Sequence, residues 1–144
     1  AFSGNFMCTS FKKELMEGLH NFKASGGNSF KIALYTDSAS FNAATTAYTT
    51  GNEISGTGYT AKGVALANVN PTTSGTTAIA DFSPDASWST ATFSAMGAMI
   101  FNDSHASDAS VLILDFGTLK TATAGTFTVA FPVADASNAI IRIA

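Results

Sequence analysis

Residues 111–117 read VLILDFG and residues 126–131 read TFTVAF. The second alternates, with Phe127, Val129 and Phe131 on one side and Thr126, Thr128 and Ala130 on the other, which is the two-residue period of a half-buried strand. The first is apolar on both sides, as expected of a strand covered on both faces, and is read as central. Residues 30–36, FKIALYT, repeat the alternation. The same signal marks 59–69, 77–82, 91–94, 96–101 and 139–143, for about eight strands in all. Turn-forming residues separate them: Gly51-Asn52, Gly56-Thr57-Gly58, Asn70-Pro71, Ser83-Pro84-Asp85, Asn102-Asp103 and Ala124-Gly125. A parallel sheet would need a helix between successive strands, and short strands broken by such turns, with the one helix outside the series, favour an antiparallel arrangement. The expected fold is therefore mainly β: an antiparallel β-sandwich, jelly-roll-like in outline.

One segment has a different period. Phe11, Leu15, Leu19 and Phe22 recur every three or four residues, with Met16 widening the stripe. This predicts an amphipathic helix over about 9–25, capped by Thr9 or Ser10 and ended by Gly26-Gly27. Residues 1–8 are read as an N-terminal arm and 9–144 as one domain. The arm carries Phe2, Phe6 and Met7, and each such side chain gains roughly 1.5–3 kcal/mol on leaving water, so the arm is expected to lie on the body or on a neighbouring subunit. Residues 37–58 lack a clear period, and a loop of that length is commonly functional.

The chain of 144 residues is 46% hydrophobic and 12% charged. That composition folds rather than staying disordered. The net charge is −3, from 7 Lys+Arg and 10 Asp+Glu, which disfavours nucleic acid as a partner. The charge is uneven: Lys12, Lys13, Lys23 and Lys31 outweigh Glu14 and Glu17 at the start, and acids dominate the rest. A basic head is thus able to meet an acidic body, within one chain or between copies. Cys8 is the one cysteine, so neither an internal disulfide nor a thiolate cluster is expected. No apolar run reaches the roughly 18 residues of a membrane span, and the start lacks the pattern of a secretory signal. The expectation is synthesis in a cytoplasm and no membrane partner.

Motifs that carry chemistry are weak. Gly56-Thr57-Gly58-Tyr59-Thr60-Ala61 fits G-x-G-x-x-A but lacks the strand before it and the helix after it that would place a phosphate, so a tight turn is the reading. Ser10-Phe11-Lys12-Lys13 fits S-x-x-K without its companion elements. Asn102-Asp103-Ser104-His105-Ala106-Ser107-Asp108 gathers a histidine and two acids, fewer than a metal or a nucleophile requires, and holds a glycosylation sequon that matters only for a secreted chain. His20 is read as a surface or rim group, Cys8 as a small buried residue, and the scattered aspartates as no calcium loop. Trp88, Tyr35, Tyr48 and Tyr59 are the residues of a sugar-binding platform, should their rings be exposed. No catalytic, cofactor or metal residue is assigned.

Five blocks carry a family likeness: residues 30–63, FKIALYTDSASFNAATTAYTTGNEISGTGYTAKG; residues 64–82, VALANVNPTTSGTTAIADF; AMIFND at 98–103; VLILDFG at 111–117; and NAIIRI at 138–143. Together they resemble small virion structural proteins of tailed bacteriophages. The resemblance implies assembly without catalysis. It does not separate a head decoration protein, which would bind the major capsid protein, from a tail or fibre-attachment protein, which would bind a tail protein. Few charges and an apolar arm suit repeated weak contacts and a homo-oligomer. The expectation is a cement protein of the virion, docking through the arm, the helix edge and the 37–58 loop, with Phe2, Phe6, Met7, Lys12, Lys13, Phe41, Tyr48, Ile54 and Tyr59 at the contact. An adhesion module for carbohydrate is the alternative of a different class.

Overall fold

The computed structural model describes residues 1–144. Its elements in chain order are β1 (Phe6–Met7), α1 (Thr9–Met16), β2 (Phe30–Tyr35), β3 (Val64–Ala65), β4 (Thr72–Ser74), β5 (Thr77–Ala80), β6 (Ala86–Asn102), β7 (Ala109–Val129) and β8 (Ile141–Ile143). They form a five-stranded sheet in the order β1-β7-β6-β2-β3 and a three-stranded sheet in the order β4-β5-β8. Every strand pair is antiparallel. The chain is mainly β with one short helix, and neither sheet closes on itself.

The hairpin of β6 and β7 is the backbone of the fold. The sequence pattern divides each of these strands in two, and the structure makes each one continuous. The division came from bulges: register shifts fall between Trp88 and Ala91, Ala91 and Phe93, Ala95 and Gly97, and Ile100 and Phe101. A bulge slips the alternation while the ladder continues, so one long strand reads as two short ones. The central strand is β6, with β7 and β2 beside it, and β7 is flanked outside by the two residues of β1 and, at its start, by a bridge from Ala47 to Ala109. The apolar run 111–117 is therefore not central, although Val111, Leu112 and Ile113 are buried. The expected strand over 59–69 reduces to β3, held by Val64 opposite Ile32 and Ala65 opposite Lys31.

The expected helix over 9–25 ends at Met16. Gly18 adopts φ +73, its N–H donates to the Leu15 carbonyl at 3.1 Å, and the Leu19 N–H donates to the Glu14 carbonyl at 3.0 Å. These two bonds terminate the helix at a left-handed glycine. The apolar period ran through Gly18 because Leu19 and Phe22 also turn away from water, but they do so from irregular chain. The N-cap is Cys8, with no side-chain cap.

A single cluster of 29 buried residues forms the core. Successive side chains of β2 point to opposite faces, so Phe30 and Tyr35 organise different layers. Phe30 stacks on Phe22 at 4.4 Å, beside Phe82. Tyr35 meets Phe41 edge-on at 4.7 Å. A third group, Trp88, Phe93, Phe127 and Tyr59, fills the open end of the hairpin.

Candidate functional site

The outer edge of β7 is built in two parts. Its first part is covered: Phe6 pairs with Ile113 and Met7 with Leu112, and the Cys8 N–H donates to the Val111 carbonyl at 3.0 Å. Asp115 completes this seal. Its N–H donates to Asn5 Oδ1 at 2.6 Å, while its carboxylate accepts from the Gly4 N–H at 3.0 Å and from the Gly117 N–H at 2.8 Å. Phe2 then reaches Gly97, where an added Cβ would stand 2.5 Å from its ring, and meets Phe41 at 6.0 Å.

The second part is open. Ala95 pairs with Lys120 and Gly97 with Asp115, so Met96 alone faces the stretch Phe116–Leu119, a bulge in which Phe116 packs against the core and Phe127 while Gly117, Thr118 and Leu119 are exposed. From Lys120 to Val129 the strand has β6 on one side and no strand on the other. A groove of about 410 Å³ runs here, lined by residues that include Phe116, Lys120, Thr126, Phe127, Thr128 and Val129. An unpaired edge offers backbone N–H and C=O groups to another strand, and natural proteins usually shield such edges with charge or proline. Between Leu119 and Phe131 the only charge is Lys120, and there is no proline.

The polar side chains that looked available for chemistry are engaged elsewhere. Glu53 accepts from Tyr48 Oη at 2.5 Å, from Tyr59 Oη at 2.7 Å and from the Lys62 N–H at 2.8 Å. Tyr59 Oη also accepts from the Leu34 N–H at 2.9 Å, and Tyr35 donates to the Thr49 carbonyl at 2.7 Å. Lys62 Nζ lies 2.9 Å from Asp108 and 3.2 Å from Asp103, and these hydrogen bonds, Asp108's first, raise its pKa. Lys31 approaches Asp103 from the other side at 3.5 Å, so one lysine of the basic head meets an acid of the body within the same chain, while Lys13 pairs with Glu17 inside the head. Together these bonds fasten the 37–63 segment to the sheet.

Among the expected contact residues, Phe41 and Ile54 are buried, while Phe2, Phe6, Met7, Tyr48 and Tyr59 pack against the chain's own core. Lys12 and Lys13 are exposed. Trp88 and Tyr35 are buried at 3% and 0% exposure, which removes two of the four rings from any sugar platform. Gly56 and Gly58 have positive φ and press on the β6 backbone near Thr92 and Thr90, the tight turn expected there. His105 Nδ1 bonds Ser107 Oγ at 2.7 Å inside its own turn.

His20 corrects another expectation: it is buried, at 7% exposure. Asn102 Oδ1 accepts from the Ser104 N–H, so its Nδ2 donates to His20 Nδ1 at 3.0 Å, leaving His20 Nε2–H to donate to Glu14 at 3.0 Å. The ring thus ties α1 to the end of β6. No group of three or more His, Cys, Asp or Glu is placed to hold a metal ion. No helix is long and apolar enough to cross a membrane.

No family model, curated protein or solved structure matches this chain. The functional reading therefore rests on its own residues.

Burial, the Glu53 carboxylate and its hydrogen bonds push the phenol pKa values of Tyr35, Tyr48 and Tyr59 well above the ordinary 10.0, burial being the largest cause in each. These are all the tyrosines. A folded pKa raised above the unfolded one contributes stability that is complete below the unfolded value of about 10 and lost as pH rises beyond it. The expected result is that phenolate absorbance stays silent through about pH 10 and then appears together with loss of circular dichroism. A separate phenolate rise in folded protein at that pH would contradict this network.

Asp81 behaves similarly at acid pH. It is 6% exposed, one carboxylate oxygen has no partner, and burial raises its pKa from the ordinary 3.8. Its contribution is best below that value and worsens as pH rises through the folded pKa. Asp81→Asn is expected to raise the thermal midpoint by about 3 °C near neutral pH and to change little at about pH 3. Thermal melts at both pH values check this; an equal effect at the two would count against it.

Proposed function

We propose that this chain is a non-enzymatic structural protein of a tailed-phage virion, made in the host cytoplasm, that decorates and cements the assembled head. The observation that carries the reading is the free outer edge of β7 from Lys120 to Val129. Strand addition to such an edge recognises protein through its backbone, and alternate side chains supply selectivity. The residue likeness in the five sequence blocks points to the same setting. The major capsid protein is the partner in this reading. The docking surface moves from the arm and the 37–58 loop, which the chain uses for its own packing, to the β7 edge.

A cement protein that binds only assembled shell stabilises it by mass action and needs no chemical step. Each contact can be modest because symmetry repeats it. Within this reading the three-stranded sheet is the second layer of a β-sandwich: Phe82 and Ile141 join the same core as Phe30, and Ile140 packs against it.

Quantitative mass spectrometry of purified particles tests the assignment. Copies on the order of hundreds per particle support head decoration. About a dozen would place the protein at the tail, bound to a tail protein, and absence from the particle would overturn the virion reading.

A further inference from the structure

We infer that the occupant of the β7 edge is an extended, acidic segment of the capsid protein, lying in one continuous groove that runs from Lys120 to Arg142. The inference rests on the reading of this edge as a docking strand and names the chemistry of what docks. The groove of about 410 Å³ beside the edge shares Phe116, Val129 and Ala130 with a second of about 380 Å³. The second shares Asn5, Leu114 and Ile140 with a third of about 190 Å³. The three are therefore joined end to end.

The shape fits a single strand. β7 turns back on itself here: Ala124 adopts φ +45 and the rings of Phe116 and Phe127 come within 6.3 Å, so Lys120 and Thr121 form one wall of the groove and residues 126–130 the other. A slot with two walls takes one extended segment rather than the broad edge of another sheet. Residues 126–129 have β6 on one side only, and their outward backbone groups supply main-chain hydrogen bonds for that segment. Alternate side chains of the segment then meet Phe116 and, further along, Leu114, Phe131 and Ile140, all of them half-buried at the margin of the core.

Charge selects which segment. Lys120 lines the first part of the groove and Arg142 the second. Both are exposed and neither takes part in a salt bridge, whereas Lys31 and Lys62 are held by Asp103 and Asp108. The one acid lining the groove, Asp115, already accepts from the Gly4 and Gly117 N–H groups. Asp135 interacts with Arg142 as a charge but gives its oxygens to Asn138 and the Ser137 N–H. A chain of net charge −3 thus keeps two unpaired cations along the groove that its free edge faces. A segment with carboxylates opposite them is favoured, and a basic one is repelled.

Co-sedimentation of the purified full chain with particles assembled without it tests the proposal. Lys120→Glu reverses the charge on one wall, and Ala130→Glu places a carboxylate midway along the groove. Both alter exposed side chains, so folding measured by circular dichroism should not change. Each is expected to weaken binding by at least about tenfold, corresponding to about 1.4 kcal/mol, while Lys120→Arg binds as the wild type does. On wild-type particles, a carbodiimide that joins an amine directly to a carboxylate is expected to link Lys120 to an Asp or Glu of the capsid protein, identified by mass spectrometry of the digested particle.

Unchanged binding of both glutamate variants, with no link from Lys120, overturns the acidic segment and leaves the virion reading in place. Equal losses for Lys120→Glu and Lys120→Arg would overturn the role of charge. A link from Lys120 to a second copy of this chain or to a tail protein overturns the capsid protein as occupant. A wild-type chain that does not bind particles at all overturns the virion reading and the inference together.

Discussion

Gly63→Ala is expected to cost this protein on the order of 3 kcal/mol or more, enough to leave it largely unfolded if its total stability is ordinary. Gly63 ends the turn after Tyr59 and delivers the chain into β3. It adopts φ +71, and a Cβ built there would lie 1.8 Å from the Ile32 carbonyl oxygen and 3.0 Å from the Ala33 Cα. Both obstacles are backbone of β2, so no side-chain rotation relieves them. The left-handed conformation alone costs a non-glycine residue roughly 1–2 kcal/mol. The overlap adds the larger part, because either β3 leaves the sheet or β2 shifts against β6.

Gly75→Ala is the matching control. Its φ is +61, with nothing within 4 Å of the added methyl group, so only the conformational cost of about 1 kcal/mol applies. Urea unfolding of the two variants checks the pair. Equal losses would mean that the close approach of residue 63 to β2 is wrong.

Glu53→Ala is expected to destabilise by about 2–4 kcal/mol, the second largest effect. The carboxylate is the shared acceptor for Tyr48, Tyr59 and the Lys62 N–H. Its removal leaves two half-buried phenols and one backbone donor without their partner, and an orphaned donor costs more than a made bond contributes. Tyr59→Phe should cost less, because it keeps the ring against Trp88 and Phe93 while losing the bonds to Glu53 and the Leu34 N–H. In the double variant the two losses should fall short of additive, since both break the same bond. Full additivity in urea melts would mean that the two side chains act independently.

The sequence made the strand content legible wherever alternation was uninterrupted. FKIALY became β2 as read, because its six residues carry no bulge and its neighbours pair with it in register. β6 and β7 were each divided in two because bulges near Ala91 and Met96 reset the period without ending the ladder. β1 and β4, of two and three residues, are too short for a period to register. The apolar spacing carries the predicted helix past Gly18, whereas the chain stops it at Met16, because a left-handed glycine followed by an apolar residue is a helix stop.

The candidate site was less legible for a different reason. An open edge belongs to the sheet's topology, and no property of TFTVAF alone says that its outer side lacks a neighbour. The arm's apolar residues drew attention correctly as groups needing cover, but β7 and Phe41 of the same chain supply it. Glu53 carried no local signal either, since its phenol partners lie five and six residues away on opposite sides, and only the folded turn brings them together. Once the edge is known, the single charge at Lys120 across 119–131 explains why it is unguarded.

Amide hydrogen exchange compares the dispersed monomer with the protein on the assembled particle and tests the working edge most directly. The account expects amides within residues 118–131 to slow by about tenfold or more on assembly, while those of Phe30–Tyr35, already inside the sheet, stay as they are. Protection confined to residues 2–7 or 37–58, with 118–131 exchanging as freely as in the monomer, would contradict it.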